Sequence, residues 1–129
     1  MATAQTIGVP VHSTPLLREL NFGEWEGRKW SKIKADQPED FRRLMISDPG
    51  FAPPGGETIN HLNIRLEQAI DEYDLISSPH TTAVVGHDGI LRSMIASILG
   101  WPATNMVNMG LFNGSVSEIE LHNGIPKLT

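Results

Sequence analysis

No cysteine occurs in this chain. That excludes disulfide staples and thiolate metal sites, and it fits a cytoplasmic location. Long hydrophobic runs are missing too. No apolar stretch approaches the roughly 20 residues that a membrane-spanning helix needs. No basic segment followed by an apolar run opens the chain, so no signal peptide is expected. Positive charge is in short supply, and the net charge of −5 argues against nucleic acid as a partner. There is no Walker loop, dinucleotide fingerprint or Gly-x-Ser-x-Gly elbow. His12, His61, His80 and His122 show no metal-ligand spacing. Neither a metal nor a cofactor is therefore expected.

What remains fits an ordinary soluble globule. The chain has 129 residues, 40% of them hydrophobic. That length suits one domain over residues 1–129, able to bury roughly two thirds of its unfolded surface. Seven of the ten basic residues lie between Arg18 and Arg43. They read first as a solvated helix face, and second as a place where an anionic small molecule is attracted.

Local patterns divide the chain into elements. Residues 2–8 look like the tail of a helix ended by Gly8. Val9 to Leu17 reads as extended, broken by Pro10 and Pro15, and Leu20 to Gly27 as a loop rich in glycine and acid. Short helices are expected over Trp30–Ala35 and Glu39–Ile46, then a breaker from Asp48-Pro49 to Gly55-Gly56. Glu57–Ile76 is the clearest helix, with Leu62, Leu66, Ala69, Ile70 and Tyr73 on one stripe. Thr82–Gly86 reads as a buried strand with both faces covered. A helix over Gly89–Leu99 follows, and then two strands between Met109 and Leu128 joined by the turn signal Asn123-Gly124. Strand-helix-strand order predicts an α/β domain.

The residues best suited to chemistry fall in three places. His87 stands between Gly86 and Asp88-Gly89, at a strand end before a helix. A histidine there can hydrogen-bond a phosphoryl oxygen or move a proton, and flanking glycine permits close approach of a ligand. The helix N-terminus adds free N–H groups that suit phosphate. Asp88 reads as the N-cap of that helix. The second place is Leu17-Arg18-Glu19-Leu20-Asn21-Phe22-Gly23-Glu24-Trp25-Glu26-Gly27. A carboxylic acid desolvated by aromatics has a raised pKa and can protonate a leaving group. Spacing alone does not choose among Glu19, Glu24 and Glu26. The third place is Pro54-Gly55-Gly56-Glu57-Thr58, where Glu57 and Thr58 either reach a ligand or begin the long helix.

Taken in order, these segments resemble the histidine phosphatase superfamily, the phosphoglycerate mutase-like proteins. The pattern L-x-E-x-x-x-G-x-x-E-G is met by Leu17, Glu19, Gly23, Glu26 and Gly27. P-x-G-E-S/T is met by Pro54, Gly56, Glu57 and Thr58, and His-x-G by His87 and Gly89. Ala4-Gln5-Thr6 looks like the end of a further segment of that family. The resemblance implies a three-layer α/β/α fold with a mixed, mostly parallel sheet, and phosphoryl transfer through a phosphohistidine without a metal. It implies Glu19 as proton donor, His87 as the histidine opposite the nucleophile, and Arg18, Glu57, Thr58 and Gly89 as substrate-binding. The partner it implies is phosphate or a small phosphorylated molecule.

One departure stands against this match. The Arg-His-Gly motif that carries the family's nucleophile is not in the sequence. The expectation is an N-terminally truncated version of the fold, with phosphomonoester hydrolysis or phosphate transfer impaired. The alternatives are a non-catalytic anion-binding module and a half-site completed by another chain. A strand left without its neighbours has bare edges, so a homodimer or larger assembly is expected.

Overall fold

The computed structural model describes residues 2–129. Helices dominate it. They are α1 (Ala2–Gln5), α2 (Trp30–Asp36), α3 (Pro38–Met45), α4 (Ile59–Glu72) and α5 (Asp88–Ile98), with 3₁₀ turns at Pro15–Leu17, Gly23–Trp25 and Ala103–Asn108. Strands β1 (Ile119–His122) and β2 (Ile125–Leu128) close the chain.

Each long helix has a chemical start and stop. Thr58 opens α4, its hydroxyl accepting the His61 N–H at 3.0 Å. Pro38 occupies the first turn of α3, with Glu39 and Asp40 beside it and Arg42 and Arg43 in the last turn, an order that suits the helix dipole. All three helices α3, α4 and α5 end in the same paired-bond cap with a left-handed residue. In α5 that residue is Gly100, at φ 68°. The Trp101 N–H donates to the Ala96 carbonyl at 2.8 Å and the Gly100 N–H to Ser97 at 3.1 Å. In α3 and α4 the position falls to Ser47 at φ 51° and Asp74 at φ 46°. No glycine marks those ends, which is why the sequence carried the long helix to Ile76 while the structure stops it at Glu72.

The core lies where α4 and α5 meet the loops before them. Leu62, Leu66 and Ala69 of α4 are fully enclosed, and Ile90, Met94 and Ala96 of α5 face them. Trp25, Ile33 and Phe51 complete one cluster, and Tyr73 ends the predicted stripe half-buried. Each fully buried leucine contributes roughly 1.5–3 kcal/mol.

The expected mixed, mostly parallel sheet is not formed among the described residues. Among the described residues the strands make one antiparallel hairpin, with Ile119 opposite Leu128 and His122 opposite Ile125. Its turn is the predicted one, with Asn123 and Gly124 at φ 53° and 77°. The first strand starts at Ile119, ten residues into the Met109–Leu128 stretch expected to hold both strands. Thr82–Gly86 is irregular and mostly exposed, not a doubly covered strand. Only Val84 there reaches the core, and Val85 is 42% exposed. A strand exists only through hydrogen bonds to a neighbour. Among the described residues no backbone–backbone bond joins 79–86 to another segment.

Candidate active site

The two glycine-bearing loops of the sequence motifs lock into each other by backbone. The Glu24 N–H donates to the Pro54 carbonyl at 2.9 Å, and the Glu57 N–H to the Asn21 carbonyl at 2.8 Å. Gly23 sits at φ 55°, and a Cβ on it would lie 2.2 Å from the Pro54 carbonyl oxygen. A Cβ on Gly56 would lie 2.6 Å from the Asn21 carbonyl oxygen. These glycines let one backbone approach the other.

This interlock delivers Glu19 to the start of α5. Its Oε2 accepts the Gly89 N–H at 3.0 Å, and its Oε1 accepts the Ile90 N–H at 3.2 Å and the Leu20 N–H at 2.8 Å. A Cβ on Gly89 would stand 2.6 Å from that Oε1, so glycine at this position makes room for the carboxylate. A negative charge there also suits the helix dipole. The expectation that these N–H groups are free for phosphate is thereby corrected. Gly89 and Ile90 donate to Glu19, and Leu91 donates to the His87 carbonyl at 3.0 Å.

His87, not Asp88, is the N-cap residue of α5; Asp88 is its first residue and pairs with Arg92 at 2.7 Å. An aspartate at the first helical position finds an i,i+4 arginine, so it is drawn along the helix rather than back across its end. The exposed His87 side chain lines a cavity of about 380 Å³ together with Arg18, Glu19, Leu20, Asn21, Phe22 and Glu26. Of the three candidate acids, Glu19 and Glu26 line the cavity and Glu24 does not. Glu26 is held by the Phe22 N–H at 2.9 Å. Arg18 is exposed and belongs to none of the ion pairs among the described residues. With a neutral imidazole, the wall carries two carboxylates against one guanidinium.

Glu57 and Thr58 do not line this cavity. Thr58 is spent on capping α4. Glu57 forms a two-point pair with Arg65, Nε to Oε1 at 2.8 Å and Nη2 to Oε2 at 3.0 Å. The same guanidinium donates to the carbonyls of Leu16, Arg18 and Glu19 at 2.6, 2.8 and 3.2 Å. Sequence reading passed over Arg65. Its signal was a charge inside the apolar stripe of α4, between Leu62 and Leu66.

Burial alone would raise the Glu57 pKa; Arg65, the Asn21 N–H and the Arg18 charge outweigh it and hold the group below the usual carboxylate range. A depressed folded-state pKa means the stabilisation is complete above the unfolded value and is lost as pH falls through the folded one. Acid unfolding is therefore expected to begin below the ordinary value of 4.5 and to reach further down than an unpaired glutamate would allow. Denaturant titrations between pH 7 and pH 2 on wild type and Glu57→Gln check this: the slope through that window should flatten in the variant.

The model of the histidine phosphatase superfamily (branch 1) matches residues 1–129. The chain belongs to this family. The adenosylcobalamin/alpha-ribazole phosphatase of Salmonella typhimurium is 28% identical over 120 residues, 93% of this chain and 59% of its own length. A probable phosphoglycerate mutase GpmB of Erwinia tasmaniensis is 29% identical over 91% of this chain and 54% of its own length. Among solved structures, the alpha-ribazole phosphatase of Shigella flexneri superposes with a TM-score of 0.77 at 26% identity, covering 94% of this chain and 60% of that one. The mycobacterial glucosyl-3-phosphoglycerate phosphatase with inorganic phosphate gives 0.79 at 25%, covering 98% and 66%. This chain thus spans a little over half the length of the relatives it matches. Helices and a small antiparallel sheet are the part of that fold it displays. No helix among the described residues is long and apolar enough to cross a membrane.

Proposed function

We propose that this chain carries one side of a phosphomonoester site, His87 holding the phosphoryl group and Glu19 serving the leaving-group oxygen as proton donor. The observation that carries the reading is the shared cavity. An imidazole and a carboxylate 68 positions apart in sequence line one hollow, with Arg18 at its edge. Its substrate class is small phosphorylated molecules, as the names of the relatives indicate for those proteins.

Phosphoryl transfer needs an in-line nucleophile and positive charge on the equatorial oxygens. This cavity has no Arg-His-Gly to offer and is walled by two acids. Slow turnover is therefore expected from the chain alone. Hydrolysis of p-nitrophenyl phosphate checks it: His87→Ala and Glu19→Gln should each lower the residual rate by about 100-fold, the usual scale of a lost acid–base group. Equal rates in wild type and both variants would contradict the assignment.

A second reading, a half-site completed by another polypeptide in the three-layer arrangement of the family, is favoured by bare apolar surface. Phe112 and Val116 are 78% and 93% exposed, and the Thr82–Gly86 backbone is unpaired. Such edges attract partner strands. Light scattering of the concentrated chain should report a dimer or larger; a monodisperse monomer counts against it.

A further inference from the structure

We infer that Arg65 is the positioning residue of this site: through backbone carbonyls alone it holds Glu19 against the start of α5. The inference rests on the reading that Glu19 works in the cavity, and it adds a residue that does not itself line the cavity. A guanidinium has five N–H donors in a rigid fork. Here all five are used. Two go to the Glu57 carboxylate, and three to the carbonyls of Leu16, Arg18 and Glu19.

The pattern of acceptors separates positioning from mere stability. The three carbonyls bracket the backbone of Glu19 itself. On the far side, Glu57 accepts the Asn21 N–H at 3.3 Å, and its own N–H donates to the Asn21 carbonyl at 2.8 Å. Residues 16–21 are therefore gripped on both sides of Glu19 by one buried ion pair anchored in α4. Among the described residues Arg65 is one of three buried polar side chains, and the Glu57–Arg65 side chains are 12% and 11% exposed. With the backbone fixed, the Glu19 side chain spans to the Gly89 and Ile90 N–H groups on α5, 70 and 71 positions away. Arg65 thus links the helix that supplies the anchor to the helix that carries His87. A lysine could keep the charge on Glu57, but a single ammonium cannot span three carbonyls and a carboxylate.

The test reads Glu19 directly and needs no substrate. In ¹H–¹⁵N spectra of the full chain, the Gly89 and Ile90 amides report the Glu19 carboxylate that accepts from them, and Glu19→Ala gives the positions of the released state. Arg65→Lys should move both amides to those positions and cut their exchange protection by about tenfold, while Leu66 and Met94 stay in place. Glu57→Gln, which loosens Arg65 without removing it, should move the same two amides part of the way. Wild-type positions and exchange rates in both variants would overturn the inference. Should Arg65→Lys give no dispersed spectrum, Glu57→Gln decides: a shift toward the Glu19→Ala positions supports it, and none overturns it. Failure of Glu19→Gln to change phosphate ester hydrolysis would instead sink the functional reading and leave this spectroscopic result standing.

Discussion

Gly23→Val is expected to abolish cooperative unfolding of this chain. The glycine stands at φ 55°, a region that β-branched residues avoid at a cost of order 1–3 kcal/mol. Space is the larger obstacle. The added Cβ would meet the Pro54 oxygen at 2.2 Å, the Gly56 nitrogen at 2.5 Å and the Gly55 carbonyl carbon at 2.6 Å, all of them backbone. No rotamer change relieves such contacts, so the interlock of the two loops must open. Opening it also loosens Glu57 and, through Arg65, the approach of Glu19. Domains of this size hold only about 5–15 kcal/mol in total. Gly27→Ala is the control: its φ is 72°, yet its Cβ would meet nothing within 4 Å, so it should cost about 1 kcal/mol. Thermal melts followed by circular dichroism compare the two. Equal midpoints would show that the loops do not need contact at Gly23.

Arg65→Ala should cost about 3–5 kcal/mol, the usual penalty for stripping one partner from a buried pair. The loss is not of attraction alone. Three carbonyls lose their donor, and the Glu57 carboxylate keeps its charge in a site where it is 12% exposed. The double variant Arg65→Ala/Glu57→Ala should be less damaging than the sum of the singles, because it removes the stranded charge as well. Urea unfolding measures all three. A loss under about 1 kcal/mol for Arg65→Ala would mean that water satisfies those carbonyls as well as the guanidinium does.

The sequence was most legible where a local rule has one dominant cause. The α4 stripe at Leu62, Leu66 and Ala69, the Asn123-Gly124 hairpin turn and the breaker at Asp48–Gly56 all follow from periodicity or backbone preference. The Glu19–His87 pairing was legible only through the resemblance, since nothing in their local sequence says that they meet. Three features stayed hidden for physical reasons. Ser47 and Asp74 end helices in left-handed conformations usually given to glycine. Arg65 hides because its partners are carbonyls, which every residue carries. Thr82–Gly86 has the composition of a strand, but composition cannot supply the neighbouring backbone that would make it one. The helix start before Ile90 offered N–H groups to an anion, and the anion that takes them is the protein's own Glu19.

The central claim is that His87 and Glu19 face one phosphoryl group across one cavity. The most direct measurement titrates inorganic phosphate into the chain while the ¹³Cε1 signal of the His87 imidazole is followed, in wild type and in Glu19→Gln. A saturable shift at His87, absent at His12, His61, His80 and His122 and altered in the variant, is the predicted result. Phosphate that leaves the His87 signal unmoved, or moves all five histidines alike, would contradict it.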